Sequence, residues 1–531
     1  MDTNTATTAD PRATGSRSGR REWVGLGVLA LAALLVSIDV FVLLLALPRL
    51  SEDLGASATQ QLWIMDVYGF MLAGLLITMG TLGDRIGRRR LLLIGAAAFG
   101  AASVLAAYST GPGMLIAARA LLGVAGATLT PSTLALIGNM FRDPRQRALA
   151  ISVWMVCFMS GAAVGPLVGG ALLEHFWWGS VFLLGVPAMG LLLVFGPMLL
   201  PEYRDAAAGR LDLTSVALSL AAILPVIYGL KEVARSGWQV LPVAAVVAGA
   251  AFGLAFTRRQ RRLADPLLDL RLFANRSFTA AMGGMMAGTA LMGAIMLFFT
   301  QYFQLVAGLS PLRAGLAMLP AVAASITSAL LSPILARRIR PAYLIGAGMA
   351  VGVAGLLVIT QAGPLHGLLA VALGFALTNL GGGPMVVLSI DLVIGSVPPA
   401  KAGLAAGMNE TGAEFGYAFG IAALGSLGTA VYRAHIAGAI PEGTPAHAAD
   451  TARDTLAGAL TAASDLSSPL GARLLDAARE AFTTAMHVAA GISAVLLLGT
   501  AVLTLTLLRH VPPSGRRAEA RTDAEPAQAA R

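Results

Sequence analysis

The sequence predicts an all-α polytopic membrane protein, on three observations. Of its 531 residues, 56% are hydrophobic and 12% are charged, whereas soluble domains carry roughly 25% charged residues. The charges are absent from blocks long enough to cross a hydrocarbon core of about 30 Å. Because lipid cannot hydrogen-bond the backbone, such blocks must be helical. The third observation is that the basic residues between these blocks favour alternate loops.

We predict fourteen spans. Of the 37 lysines and arginines, 28 fall on the same side as the N-terminal tail, eight fall on the other side and Arg119 lies within a span. Basic residues mark the cytoplasmic side, so we expect a multi-pass protein of the cell (plasma) membrane with both termini cytoplasmic. The spans are predicted near 24–47, 62–82, 91–109, 113–140, 148–172, 180–200, 212–230, 239–257, 277–305, 313–336, 341–361, 366–395, 402–431 and 484–508.

These spans divide the chain into five segments. They are a cytoplasmic tail (1–23), an N-terminal six-span half (24–200), two extra spans with a cytoplasmic amphipathic linker (201–276), a C-terminal six-span half (277–508) and a cytoplasmic tail (509–531). Within the C-terminal half, the extracellular loop 432–483 has leucines four residues apart, which predicts a short helical hairpin that Pro469 should break or kink. Stepped glycines in span 5 and span 13, the latter Gly412, Gly416 and Gly420, indicate an internal repeat.

The composition argues against several classes of function. The net charge of +9 arises mostly from arginines in short loops, so it marks topology and predicts no nucleic-acid partner. Cys157 is the only cysteine and forms no disulfide within the chain. The six histidines are scattered and no G-x-x-x-x-G-K-[ST] loop is present. We therefore expect no metal, no cofactor and no use of ATP.

The loop after span 2 places one acid among arginines and glycines. Its notable residues are Gly80, Asp84, Arg85, Gly87 and Arg88. Asp84 can accept charge-assisted hydrogen bonds from an arginine or a neighbouring helix end, which makes the loop a candidate latch for one conformation. The alternative is an ordinary basic turn.

Two further motifs lie within spans. Arg119 in span 4 needs a partner or a wet cavity, because a mid-span arginine costs about 2.5–3.5 kcal/mol on insertion scales; the alternative is that it snorkels to the outer surface. Span 5 carries a proline among stepped glycines, which allow close packing and a kink and so favour a pivot between the halves. These residues are Gly161, Gly165, Pro166, Gly169 and Gly170.

These motifs resemble those of the fourteen-span drug:proton antiporters of the major facilitator superfamily, in particular multidrug exporters of the QacA and LfrA type. The loop after span 2 is similar to that superfamily's signature turn, Arg119 to its span-4 arginine and residues 161–170 to its antiporter motif. The resemblance covers essentially the whole chain. It implies a major facilitator fold of two six-span halves plus two extra spans. It also implies a monomeric antiporter that exports hydrophobic and cationic drugs, dyes or antiseptics, driven by the proton gradient.

Four acids within spans are the candidate proton and substrate sites: Asp39, Asp66, Glu410 and Glu414. Glu410 and Glu414 lie four residues apart and share one helix face. Burial disfavours the charged form of a carboxylate, so each can carry a proton. A cationic substrate that competes for the same carboxylate would couple export to proton entry. The alternative role for each acid is a structural hydrogen bond between helices.

The predicted drug contacts are aromatic or thioether side chains, because aromatic faces attract cations and methionine adapts its shape. They are Trp63, Tyr68, Met155 and Phe158. The span-10 acid of relatives that favour divalent cations is replaced by Ser325, so we do not expect that preference. For Asp391 we expect only an interaction at the inner surface.

Two other functions remain open. One is a dedicated exporter of an endogenous metabolite or antibiotic, which only substrate profiling separates from a multidrug exporter. The other is a polytopic membrane enzyme, which would need a cluster of His, Asp, Glu or Cys at an aqueous boundary. A structural scaffold would leave the four acids within spans unexplained.

Overall fold

The computed structural model is a bundle of helices and describes residues 19–141, 143–204, 212–236, 238–263, 266, 268, 270–363, 367–397 and 402–513. Residues 1–18 and 514–531 of the predicted tails lie outside these ranges. The α-helices are α1 (Arg20–Leu54), α2 (Ala58–Ile86), α3 (Arg88–Ala107), α4 (Pro112–Met140), α5 (Pro144–His175), α6 (Ser180–Leu183), α7 (Gly185–Leu199), α8 (Leu213–Ser236), α9 (Val240–Gln260), α10 (Arg276–Gln301), α11 (Pro311–Ala336), α12 (Pro341–Ile359), α13 (Gly367–Gly395), α14 (Ala402–Ala439), α15 (Ala446–Asp454), α16 (Leu456–Ser464) and α17 (Ser468–Leu508).

Within the described residues, twelve helical stretches are long and apolar enough to cross a membrane, with α6 and α7 counted as one. Helix α2 is a thirteenth if its segments Ala58–Leu76 and Thr78–Ile86, which meet at a bend of 54°, form one span. In α5 only Leu149–Phe158 qualifies, as a shorter apolar helix. The prediction of a multi-pass helical membrane protein is confirmed, whereas the count of fourteen spans is not.

The long helices run back and forth between two ends of the bundle. The arginine-rich end is where α2 ends and α3 begins, and it holds Arg85, Arg88, Arg89 and Arg90. The hairpin end is where α1 ends and α2 begins, and it holds α15 and α16.

The bundle contains two halves that pack in equivalent ways. Helices α1–α7 form the first half, in which α5 lies along α1; helices α10–α14 and α17 form the second, in which α14 lies along α10. Glycines make the second contact possible: a Cβ on Gly416 would lie 2.5 Å from the carbonyl oxygen of Met286. The stepped glycines of span 5 and span 13 thus lie at the same helix interface in each half, as a repeat requires.

Helices α8 and α9 form a hairpin outside both halves. Helix α9 contacts chiefly α8, whereas α8 lies against both α2 and α14. Ile227 of α8 packs with Phe70 of α2 and Ala418 of α14. The predicted span 212–230 is too short, because α8 continues to Ser236. It therefore carries Lys231, which the sequence places in a loop, into the bundle interior at 1% exposure.

The two longest predicted connections are more helical than the sequence indicates. In the linker 257–276, α9 continues to Gln260 and a 3-10 helix follows at Leu270–Ala274. The loop 432–483 contains the predicted hairpin as α15 and α16. Pro469 does not break a helix as predicted, because it lies in the first turn of α17, where its missing N–H has no helical partner to lose.

The two halves meet at the hairpin end. Hydrogen bonds there join side chains of the second half, and of α15 next to it, to the first half. Among described residues they are Gln304 Nε2 to the Leu45 carbonyl (3.1 Å), Ser310 Oγ to Glu174 Oε1 (2.6 Å) and the Ala58 N–H to Asp454 Oδ2 (3.2 Å). The hairpin end is therefore the closed end of this conformation.

Candidate functional site

Arg119 and Asp39 form an ion pair inside the first half. Arg119 Nη1 lies 2.6 Å from Asp39 Oδ2, and Arg119 Nε donates to the carbonyl of Ile64 at 3.2 Å. Both side chains are buried, with relative exposures of 2% and 8%. The pair links α1, α2 and α4, and it supplies the partner that an arginine in a membrane span requires.

Tyr68 of α2 contacts Arg119 of this pair. Its ring centroid is 4.6 Å from the guanidinium carbon of Arg119, a cation–π geometry. Its hydroxyl is buried and has no hydrogen-bond partner among the described residues. Both Asp39 and Glu414 lie within electrostatic range of that hydroxyl. Tyr68 therefore lies near both the ion pair of the first half and an acid of the second.

Glu410 and Glu414 lie on α14, which packs against α2. The contact is close at Gly69, where a Cβ would lie 2.9 Å from the Cβ of Ala418 and 3.9 Å from the Glu414 carbonyl oxygen. Both glutamates are half-buried, and they lie within electrostatic range of each other. Within the part of the chain that the structure describes, neither carboxylate is paired with a cation, unlike Asp39.

Asp66 pairs with Lys231, a residue that the sequence analysis missed. The Lys231 ammonium lies 2.9 Å from Asp66 Oδ1 and 2.8 Å from Oδ2, and both side chains have zero exposure. The same ammonium lies 4.0 Å from the centroid of the Trp63 ring. The signal in the sequence was weak, because Lys231 and Glu232 directly follow the apolar run that ends at Leu230.

The predicted drug contacts separate into two places. Trp63 and Tyr68 lie on α2, next to the two ion pairs. Met155 and Phe158 lie on α5, where Phe158 stacks on Trp154 at a centroid distance of 5.6 Å. Met155 is 41% exposed, and Phe158 packs against the main hydrophobic core.

The predicted latch loop is tied to its own half. Asp84 accepts from Arg88 Nε at 2.7 Å within the same turn, while the Arg88 N–H bonds to the carbonyl of Tyr203 after α7. Gly87 has a φ of 113°, a conformation that favours glycine. Arg85 is exposed. Gly80 faces α4, where the nearest atom to a Cβ on it would be 3.9 Å away on Pro131.

The glycines of α5 allow two close helix contacts. Gly161, Gly165 and Gly169 face α1; a Cβ on Gly165 would lie 3.1 Å from the Cβ of Phe41, and one on Gly169 2.9 Å from Val42. Gly170 faces the second half, where a Cβ would lie 2.7 Å from the Cα of Leu312.

The counterpart across this contact is Gly315 of α11. A Cβ there would lie 2.5 Å from the carbonyl oxygen of Pro166. The glycine motif thus holds α5 against α1 and also closes the hairpin end against α11.

Comparison with known proteins agrees with this architecture. The chain is 44% identical over 499 residues to the multidrug efflux pump LfrA of Mycolicibacterium smegmatis, covering 93% of this chain and 98% of the relative. It is 36% identical over 495 residues to the methyl viologen resistance protein SmvA of Salmonella typhimurium, covering 91% and 97%.

A solved structure shares the fold. It is that of a bacterial homologue of the human lysosomal transporter Spinster in an inward-facing, unoccupied conformation, with a TM-score of 0.63 at 16% identity, covering 92% of this chain and 99% of that chain. The sequence profile of the Major Facilitator Superfamily matches residues 29–421. The chain belongs to the major facilitator superfamily.

Proposed function

We propose that the chain is a proton-coupled antiporter that exports hydrophobic and cationic drugs, dyes or antiseptics from the cytoplasm by alternating access. It acts as a monomer in the cell membrane with both termini cytoplasmic. It converts no substrate chemically, uses no cofactor and is driven by the proton gradient rather than by ATP. The names of its relatives, a multidrug efflux pump and a methyl viologen resistance protein, support drug export.

The observation that carries the proposal is the pair of half-buried glutamates on α14 without a cationic partner among the described residues. An ionised carboxylate in this setting is unfavourable unless a cation accompanies it. Glu410 and Glu414 therefore favour occupancy by either a proton or a substrate cation. Because the two occupants exclude each other at one carboxylate, binding of one promotes release of the other, which is the coupling that antiport requires.

Alternating access is supported by where the halves touch. The close contacts of Gly170 and Gly315 and the hydrogen bonds between the halves lie at the hairpin end. Rocking of the halves against each other at the α2–α14 and α5–α11 contacts would separate these contacts and open that end. In the proposed topology the hairpin end faces outward, so the present conformation is closed towards the outside.

The test uses the purified protein in acid-loaded liposomes that contain a pH-sensitive dye. Ethidium added outside is expected to cause proton release from liposomes that hold the unaltered protein. Glu414→Gln should reduce this release at least about tenfold, since the amide binds neither a proton nor a cation. The matched control is Asp450→Asn, which alters an exposed acid of α15 that pairs with Arg453 and should leave proton release unchanged.

Two results would change the proposal. Ethidium binding without proton movement would refute the coupling while retaining recognition of cations. If the unaltered protein neither binds nor transports ethidium or quaternary ammonium compounds, a dedicated metabolite exporter would become the better explanation.

A further inference from the structure

The Asp66–Trp63 pair has the chemistry of a site for an organic cation. A carboxylate supplies the counter-charge and an indole face supplies cation–π attraction, the combination that recognises ammonium groups in proteins. Both residues lie on α2, one helical turn apart. In this structure the position between them holds the ammonium of Lys231, 2.8 Å from Asp66 Oδ2 and 4.0 Å from the Trp63 ring centroid.

We propose that Asp66 and Trp63 form a binding site for monovalent organic cations, and that Lys231 of α8 is a tethered occupant that fills this site in the present conformation. The identity of the free ligand as an exported cation rests on the proposed function. The occupancy by Lys231 does not, because it follows from the geometry of three side chains.

The position of α8 explains how the site becomes free. Ile227, one turn before Lys231, packs with Phe70 of α2 and with Ala418 and Ala422 of α14. A helix that contacts both halves from outside cannot keep both contacts while the halves rock against each other. When α8 stays with α14, its lysine leaves Asp66, and the carboxylate then takes an external cation in its place.

The Lys231 ammonium also restricts which ligands can bind at Asp66, because it competes with them for the carboxylate. A group held next to its site on the same chain acts at an effective concentration in the millimolar range, so only external cations that bind well in spite of this competitor occupy the site. Neutral hydrophobic substrates do not need the carboxylate and are unaffected. Lys231 is therefore a specificity-determining residue contributed by the extra helix pair.

Removal of the tether allows a direct test by chemical rescue. Lys231→Ala deletes the atoms from Cγ to Nζ, which n-propylammonium replaces in length and charge. The purified full-length variant is heated in detergent micelles with increasing n-propylammonium chloride, at constant ionic strength set by sodium chloride. We expect a saturable rise in its Tm, with no rise for the unaltered protein, whose site is filled.

Two controls separate charge from volume. Propan-1-ol, a neutral molecule of similar size, should not raise the Tm of Lys231→Ala. The double variant Asp66→Asn with Lys231→Ala should not respond to n-propylammonium, because it lacks the carboxylate. A rise of equal size in the double variant, or no rise in Lys231→Ala, overturns the proposal.

A second variant covers the case in which Lys231→Ala does not fold. Lys231→Gln keeps most of the side-chain length and removes the charge, and it should bind ethidium about tenfold more tightly than the unaltered protein, since the competing ammonium is gone. Unchanged ethidium affinity overturns the proposal. The unaltered protein could fail to move protons in liposomes while n-propylammonium still raises the Tm of Lys231→Ala. That result would refute the proposed antiport but support Lys231 as a tethered occupant of the site.

Discussion

The ion pair between Asp39 and Arg119 makes a quantitative prediction about stability. Arg119→Met leaves Asp39, at 8% side-chain exposure, without its cation, and Asp39→Asn leaves Arg119, at 2%, without its anion. Breaking a buried pair from one side is destabilising by about 3–5 kcal/mol, because an uncompensated charge remains. Each single variant should therefore lose that amount of unfolding free energy.

The double variant should lose far less than the two single losses combined. With both charges gone, the main remaining loss is the hydrogen bond from Arg119 to the Ile64 carbonyl, about 1.5–3 kcal/mol for a charged donor. Independent sites would instead give a combined loss of about 6–10 kcal/mol. The coupling energy between the two positions should then be at least about 3 kcal/mol.

Denaturant unfolding in detergent micelles, followed by tryptophan fluorescence, measures these four free energies. Arg313→Met is the matched control, because Arg313 is exposed at the start of α11; it should change stability by less than about 0.5 kcal/mol. A double variant whose loss equals the combined single losses would refute the argument that these two charges depend on each other.

Two further predictions concern the closed end and the α8–α9 hairpin. Gly170→Leu cannot keep the contact with Leu312, so spin labels on the ends of α5 and α11 should move apart and ethidium transport should fall at least about tenfold. Gly190→Leu should do neither, because nothing lies within 4 Å of the position that its Cβ would take. Burial raises the pKa of Asp212, but hydrogen bonds from Arg259 and Ser215 outweigh this and hold it at about 2. Because this lies below its ordinary value of 3.8, the stability it contributes is present above about pH 4 and is lost as the pH falls towards 2. The Tm difference between the unaltered protein and Asp212→Asn should therefore shrink over that interval, and a constant difference would contradict this.

Much of the fold is readable from the sequence because one physical rule dominates it. A backbone in lipid must be helical, so apolar blocks give the helices, and stepped glycines give the α5 and α14 interfaces. Helix ends are less readable. The predicted span 212–230 stops before Lys231 because a lysine lowers the local hydropathy, although α8 continues past it to Ser236.

The ion pairs were beyond the reach of periodicity. Asp39 and Arg119 are 80 residues apart, and Asp66 and Lys231 are 165 apart. The sequence indicates that Arg119 needs a partner, since an unpaired charge in lipid is unfavourable, but several acids in spans could supply it. Only the arrangement of α1, α2, α4 and α8 assigns each acid to its cation.

The four acids therefore differ in whether protonation would leave a buried cation without its counter-charge. Protonation of Asp39 would leave Arg119 buried beside a neutral partner, an outcome as unfavourable as removing the carboxylate. Protonation of Glu414 leaves no buried cation without its counter-charge, because none is paired with Glu414 among the described residues. The exchange of a proton for a substrate cation is therefore easiest at α14, and Asp39 with Arg119 is better suited to hold Tyr68 in place. Tyr68 lies 4.6 Å from the Arg119 guanidinium and within electrostatic range of Glu414, so it is the side chain best placed to sense a change of charge on α14.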